Sequence, residues 1–558
     1  MTAESNSALA ARAATAMQPR TGGEAVAEQL VRSGVDTVFG VPGVQLDYLV
    51  DGFAQREDRL RYISCRHEQG AAYMADGYAR ATGRPGVFSV VPGPGVLNAT
   101  AALSTAYACS SPVVCLAAQI APWAIGRNLG LLHDVTGQDT VLRAVTKHCS
   151  RVEDVNEFPE AVHGAIGRAL SGRPRPVALE MPDSLLKAPF SGSLVDVLPA
   201  VNRVTPDTAA IAAAAALLGK AEHPVIYAGG GVVVGDASAA LEALSTALRA
   251  PVVTSNNGRG AISDRHPWAL TSLGGRRVLP QADVVLLVGS RGLRMAGLPL
   301  VDSGAKQIMI NAQEEDFGPP REPEVTVHAD ARLGLEALLA ELPTGRSAWT
   351  ENDIDATRMW CAEQIAPLGE LVEWVTALRR GIADDGILVG ELTQTFYLSR
   401  VAYPMYAPRT NLSPGYQGTL GYGSATAMGA KLGRPGVPVV SISGDGGFCY
   451  QLGELLTAVQ YQIPVVFVVF NDGAYGNVMR TQMEDFGGRV IGTRLANPDF
   501  PAMAKSFGMD AVRLTRPHEL TGTLRELRAT TVPVIVEVPV GPFNDPAPLI
   551  REVPARRS

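Results

Sequence analysis

Residues 444–472 read GDGGFCYQLGELLTAVQYQIPVVFVVFND, with Asp445 near one end, Asp472 at the other and Glu454 the only carboxylate between them. PVVSIS, just before, reads as a strand, and Gly444-Asp445-Gly446-Gly447 as a tight loop. LGELLTAVQY places Leu452, Leu455, Leu456 and Val459 on one helical face, and PVVFVVF is the next buried parallel strand, ending at Asn471-Asp472. A βαβ unit delivers the C-terminal ends of both strands to one sheet edge. Asp445 and Asp472 are therefore expected to converge there. Two adjacent carboxylates repel unless a cation lies between them, and oxygen ligands suit Mg2+ or Ca2+. Bare glycine N–H groups at a helix N-terminus favour a phosphate beside that cation. A structural loop followed by an acidic turn is the competing explanation; two acids at this spacing favour a metal–phosphate site.

The remaining sequence sets the scale. A chain of 558 residues exceeds one ordinary core and predicts two to four domains. Apolar residues make up 46% and charged residues 18%, the balance of a well-buried globular protein. A net charge of −7 without a basic stripe argues against nucleic acid as a partner. Cys65, Cys109, Cys115, Cys149, Cys361 and Cys449 include no CxxC pair, so buried reduced thiols are expected rather than disulfides or a zinc site. No long uncharged apolar run is present, so no membrane span is expected. Residues 1–20 carry Glu4, Arg12 and Arg20 without the apolar core of a secretory signal, and read as the tail of a cytoplasmic protein.

Strand–helix alternation recurs along the chain and predicts an α/β protein of three doubly wound domains with parallel sheets. In residues 21–190, VDTVFGVPG, RYISCR, VFSVV and PVVCLAA read as strands. VAEQLVRSG and HEQGAAYMADGYARATG read as helices, the second stopped by Gly83 and Pro85, and a further helix is expected from about Leu97. KAPFSGSLVDVLPAVNRVTP reads as a linker to a central domain at 207–342, with HPVIYAGGGVVVG, APVVTSNNG, ADVVLLVGS and KQIMINA as its strand runs. PTGRSAWTENDID reads as a second linker. Residues 356–542 form the third domain, with GILVGE, PVVSISGDG, PVVFVVFND and PVIVEVPV as buried strands, and 543–558 read as a tail. The shared alternation suggests that the first and third domains are duplicates, although no residue-level repeat accompanies it.

The 444–472 segment resembles the thiamine-diphosphate signature, GDG followed by an Asn-Asn pair. The resemblance runs from about Thr21 to Pro542 and is closest to the acetolactate synthase group, whose pyrimidine-binding, central and diphosphate-binding domains follow in that order. It implies that Asp445, the Asp472 side chain and the Ala474 carbonyl hold Mg2+ against the diphosphate. Asp472 replaces the usual second Asn, adding a charge that a dication tolerates. Gly446, Gly447, Gly476 and Asn477 are implied to lie against the phosphates, with Tyr475 among the cofactor-binding residues. Gln394 and Thr395 match another diphosphate-binding pair, Thr395 standing where many synthases carry His.

RHEQGAAYMADGYARATGRPGVFSVVPGPGVLN, from Arg66 to Asn98, resembles the pyrimidine domain of the same family. Glu68 then corresponds to the carboxylate that hydrogen-bonds N1′ of the aminopyrimidine, and Asn98 is counted with the cofactor-binding residues. The resemblance implies that proton donation from Glu68 to N1′ lets the ring take up the imino tautomer that deprotonates thiazolium C2. Burial would raise the Glu68 pKa and a helix N-terminus would lower it; a sealed site predicts that burial wins. YQGTLGYGSATAMGAKLGRP, from Tyr416, resembles a third family motif. It implies backbone contacts from Gly418 and Leu420 to the aminopyrimidine, with the Leu420 side chain wedging the bent cofactor where synthases usually have Met.

GLLHDVTGQDTVLRAVTKH resembles a family loop that approaches the thiazolium from the opposite subunit. His133 falls where synthases have Phe and some carboligases Gln, and Asp134 where synthases have Gln. A histidine there can act as acid or base or bind a substrate carbonyl. Gln45, in VPGVQLDY, stands where some carboligases have an active-site His, and Thr481 where synthases place the Trp that shapes the acceptor pocket. Asp134, Gln45 and Thr481 are candidate substrate residues. GLLHDVTGQD is also similar to the loop of 5-guanidino-2-oxopentanoate decarboxylases, which keeps a simple 2-oxo acid decarboxylase as an alternative. Oxalyl-CoA decarboxylases and 2-hydroxyacyl-CoA lyases are a further one, without an obvious acyl-CoA lid after Pro542.

In the central domain, GGGVVVG and GSRGLRM do not have GxGxxG spacing. GSRGLRM in place of the synthases' GARFDDR argues against tightly bound FAD, while Arg291 and Arg294 retain the chemistry to hold an adenine nucleotide's phosphates. A non-catalytic scaffold of this fold is free to lose Glu68 or the GDG loop. Both are intact, so an enzyme is expected: a thiamine-diphosphate-dependent transferase or lyase that cleaves and ligates C–C bonds of a 2-oxo acid donor, with an aldehyde or 2-oxo acid acceptor. The resemblance implies a homodimer or homotetramer in which Glu68 of one copy serves the cofactor held by Asp445 of another.

Overall fold

The computed structural model describes residues 19–294, 299–301, 304–342 and 347–550. Most of the N-terminal stretch read as a tail, part of the second linker, Met295 of GSRGLRM and residues 551–558 lie outside the described residues. The chain forms two compact units, divided between Asn202 and Arg203.

The first unit carries a six-stranded sheet: β1 (Thr37–Gly40), β2 (Arg61–Ser64), β3 (Gly86–Val90), β4 (Val113–Gln119), β5 (His148–Arg151) and β6 (Val177–Pro182). Its order is β2-β1-β3-β4-β6-β5, and every pairing is parallel. Val38, Val87, Val114, Leu116 and Leu179 form part of its core. β5 and β6 were not among the expected strands. β5 is a short edge strand with one fully buried residue, Cys149, so it lacks the apolar run that marks a central strand.

The second unit carries two sheets. β7 (Pro224–Ala228), β8 (Val252–Thr254), β9 (Ala269–Thr271), β10 (Val284–Val288), β11 (Lys306–Asn311) and β12 (Val325–His328) lie in the order β12-β11-β10-β7-β8-β9. β13 (Ile387–Gly390), β14 (Asn411–Leu412), β15 (Val439–Gly444), β16 (Val466–Asn471), β17 (Asp510–Arg513) and β18 (Val534–Pro539) lie in the order β14-β13-β15-β16-β18-β17. Both sheets are wholly parallel. Within its own six strands, the third sheet repeats the order of the first, whereas the middle sheet has the dinucleotide-fold order.

Several local expectations are refined. In place of the tight loop expected at Gly444–Gly447, Gly444 is extended and a helical turn, Asp445–Phe448, starts immediately after it. The first N–H groups of such a turn have no intrahelical partner, so these glycines still present free donors. The helix expected from Leu97 begins at Pro94, because proline suits the first helical position and Gly93 turns into it at φ 61°. TENDID, read as linker, instead starts a helix at Glu351, where Thr350 and Asp353 form a capping box. None of the six cysteines is in a disulfide. Among the described residues no helix is long and apolar enough to cross a membrane.

Candidate active site

β15 and β16 are neighbours, with Gly444 opposite Phe470, so the residues that follow them emerge at one sheet edge. Asp445 is 1% exposed. Asn497 donates both amide hydrogens, one to Asp445 Oδ2 and one to Asn471 Oδ1 (2.9 Å). Asn471 in turn donates to Glu537 Oε1 (2.8 Å), and Arg513 holds the other oxygen of Glu537 (2.7 Å). This chain of side chains fixes the orientation of Asp445.

Asp472 reaches the same place. Its Oδ1 accepts the Ala474 N–H (3.2 Å), and a Cβ at Gly476 would collide with its Oδ2. Asp472 is exposed as a residue, but its carboxyl lies close against Gly476, which shields part of it from water. That burial, followed by the charge of Asp445 and a hydrogen bond with it, raises the Asp472 pKa to about 6. Mutual repulsion of this kind is what a cation placed between the two groups relieves. Among the described residues no group of three or more His, Cys, Asp or Glu side chains forms a metal cluster, so a cation here would complete its shell with backbone, water or phosphate oxygens. The backbone around Ala474 is held by pairing with residues 493–495: Tyr475 donates to Thr493 and Leu495 to Gly473, both at 2.8 Å.

Of the phosphate-binding candidates, Gly446 and Gly447 follow Asp445 directly and Gly476 lies against Asp472. A Cβ at Gly446 would lie 2.6 Å from the Tyr475 ring, and one at Gly447 would strike the Glu391 carboxylate, so both positions require glycine. Gln394 and Thr395 open the helix Gln394–Ala402. Thr395 is fully buried, and neither its Oγ1 nor Gln394 Oε1 has a hydrogen-bond partner. Buried polar atoms left in this state await a ligand or water. Gly418 has φ 58°, which favours glycine, and Leu420 beyond it is half-buried. Thr481 is exposed and bonds back to Asn477 O (3.3 Å) within its own helix.

In the first unit, Glu68 is the first residue of the helix Glu68–Thr82, with His67 as N-cap, and it is half-buried. Asn98 donates to Glu68 Oε2 (2.9 Å), which joins the two ends of the Arg66–Asn98 motif. Gln45 and His133, far apart in sequence, also meet: His133 Nδ1 lies 3.0 Å from Gln45 Oε1, while Gln45 Nε2 donates to Leu132 O (3.2 Å). With its N–H group so engaged, Gln45 presents oxygen to the ring. His133 Nδ1 therefore donates, which leaves Nε2 as the accepting nitrogen of the ring. His133 has φ 67°, and its carbonyl closes against Gly93. A non-glycine residue in this conformation is held there by its surroundings. Asp134 instead caps its own loop, accepting from Leu129 (3.1 Å) and Gly130 (3.2 Å).

In the central domain, the turns at Gly229–Gly231 and Gly289 pack backbone to backbone, Gly231 donating to Gly289 O (2.9 Å). That approach accounts for these glycines without a nucleotide. Sequence reasoning missed Asn497 and Glu391. Neither lies in a recognisable motif, although a carboxylate directly after a buried strand, as in GILVGE, is a signal in itself.

Three matches to family models cover most of the chain: the N-terminal thiamine pyrophosphate binding domain over residues 20–139, the central domain over 211–338 and the C-terminal thiamine pyrophosphate binding domain over 392–538. The chain belongs to the thiamine pyrophosphate enzyme family. It is 34% identical over 529 residues to a probable 2-ketoarginine decarboxylase of Pseudomonas aeruginosa, spanning 92% of this chain and 93% of that protein. It is 31% identical over 562 residues to a probable acetolactate synthase large subunit of Methanocaldococcus jannaschii, spanning 96% and 93% of the two chains. With the acetolactate synthase isozyme 3 large subunit of Escherichia coli it shares 31% over 543 residues, spanning 91% and 92%. The protein is thus an acetolactate synthase-like, thiamine-diphosphate-dependent enzyme of the group that cleaves and joins C–C bonds of 2-oxo acids.

Proposed function

We propose that the protein decarboxylates a 2-oxo acid and joins the resulting fragment to a second carbonyl compound. The observation that carries this reading is the convergence of Asp445 and Asp472 beside the Gly446–Gly447 turn, in a chain that also pairs Glu68 with Asn98. Asp445, Asp472 and the Ala474 carbonyl would hold Mg2+. The N–H groups of the Asp445–Phe448 turn, the Thr395 hydroxyl and the Gln394 amide would bind the diphosphate. Bound thiamine diphosphate supplies a carbon nucleophile and an electron sink for the bond that breaks. Glu68 would hold or release a proton at the pyrimidine nitrogen, and the Leu420 side chain would pack against the cofactor. His133 Nε2, with its ring oriented by Gln45, moves a proton on the reacting carbon or carbonyl oxygen.

Thr481 and His133, in place of the bulky residues of synthases, support a donor or acceptor larger than pyruvate. A second reading, plain decarboxylation of 5-guanidino-2-oxopentanoate, is favoured by the His133 loop together with the Pseudomonas relative, since 2-ketoarginine is that compound. The protein would act as a cytoplasmic homodimer or homotetramer.

A panel of 2-oxo acids, each assayed for CO2 with and without acceptor aldehydes, tests both readings. Adduct formation supports ligation, and free aldehyde with no adduct supports the second reading. Absence of turnover across the panel with cofactor bound would overturn both.

A further inference from the structure

We propose that Glu391 is a positioning residue that holds three cofactor-binding segments of the third domain in register. This rests on the family-level reading that thiamine diphosphate binds here, and on no assumption about substrate.

Glu391 directly follows β13 and is 1% exposed. Its Oε1 accepts the Gly421 N–H (2.6 Å), and its Oε2 accepts the Gly423 N–H (2.9 Å) and the Ser443 hydroxyl (3.3 Å). Oε1 also occupies the space that a side chain at Gly447 would need. One carboxylate therefore touches the residue after Leu420, the end of β15 and the underside of the Asp445–Phe448 turn. Gln394 and Thr395 follow it on the same stretch of chain.

The geometry calls for a carboxylate. Two backbone donors approach different oxygens, and an amide has only one acceptor atom, so glutamine would set its NH2 against one of the N–H groups. Keeping an acid here is costly, since burial pushes the Glu391 pKa up to about 7 against the lowering effect of the Gly423 and Gly421 donors. A simpler role is helix capping, because Gly421 is the N-cap of the helix Tyr422–Gly433. Capping alone governs stability, whereas positioning also governs cofactor affinity.

The test compares the full-length wild type with Glu391→Gln, Glu391→Asp, Leu420→Ala and Glu391→Gln/Leu420→Ala. Thiamine diphosphate affinity in saturating Mg2+ is measured by calorimetry, and cofactor-free stability by thermal melting. Glu391→Gln is expected to weaken cofactor binding by about tenfold or more, because one buried N–H is left opposed by another donor. Glu391→Asp should bind with intermediate affinity, the carboxylate being retained but one methylene short. The double variant should lose less affinity than the two single losses combined, because Glu391 acts partly through Leu420. Wild-type affinity in Glu391→Gln, with only a lowered melting temperature, overturns the proposal in favour of capping. If Glu391→Gln does not fold, wild-type affinity in Glu391→Asp overturns it equally.

Discussion

Asp445 and Asp472 follow adjacent parallel strands, and the charge of the first helps raise the pKa of the second to about 6. The ordinary value is 3.8, so the folded state favours protonated Asp472. A carboxylate raised in this way contributes stability that is fully present below its unfolded pKa and lost as pH rises through the folded one. Metal-free protein should therefore lose stability between pH 3.8 and about 6 on account of this group. Asp472→Asn removes the repulsion, so above that window the metal-free variant should melt higher than its parent. The gap should narrow as pH falls through 6. Melting curves across this range check it, and a gap independent of pH would contradict the coupling.

Removal of the buried partner has a different consequence. Asp445→Ala leaves Asn497 without one acceptor and, under the proposed function, would deprive the cation of a ligand. Thiamine diphosphate affinity measured by calorimetry should fall by more than about tenfold, by the scale of a lost charge-assisted contact. Chelation of divalent cations should produce a comparable loss in the wild type. Unchanged affinity in chelator would remove the metal from the site.

Glu68→Gln keeps the shape of the side chain and its contact with Asn98 but ends proton transfer. Turnover should fall by about 100-fold or more, the usual contribution of a positioned acid or base, while the cofactor still binds. Exchange of the cofactor's C2 proton, followed by NMR, should slow in parallel. A variant with wild-type exchange would detach Glu68 from that step.

At His133 the backbone restricts the choice of variant. Alanine is strained at φ 67°, whereas asparagine tolerates the left-handed region, so His133→Asn separates ring chemistry from loop conformation. It should leave C2 exchange intact and lower turnover by about 100-fold through a later step. Full turnover with an unchanged product ratio would place His133 outside the reaction.

If Glu68 and Asp445 serve one cofactor from different copies, mixed oligomers of Glu68→Gln and Asp445→Ala should recover part of the activity that each variant lacks. Sedimentation shows the oligomer, and subunit exchange followed by assay shows the recovery. A fully active monomer would exclude the shared arrangement.

The sequence by itself determined the alternation of buried strands and helices, the glycine-flanked Asp445, the Asp472 partner and the Glu68 motif. Each is written in short-range chemistry: apolar runs, helix stops and glycines where no side chain fits. The meeting of Asp445 and Asp472 was legible because a βαβ unit has one handedness and one active edge. Only the tertiary structure decided the strand orders, which make the first and third sheets alike and the middle one different, since order depends on crossovers between distant segments. The same holds for Gln45 on His133, Asn497 on Asp445 and Glu391 beneath Gly447. Their partners lie far away in the chain, and no local pattern records a hydrogen bond that forms only when separate strands are packed side by side.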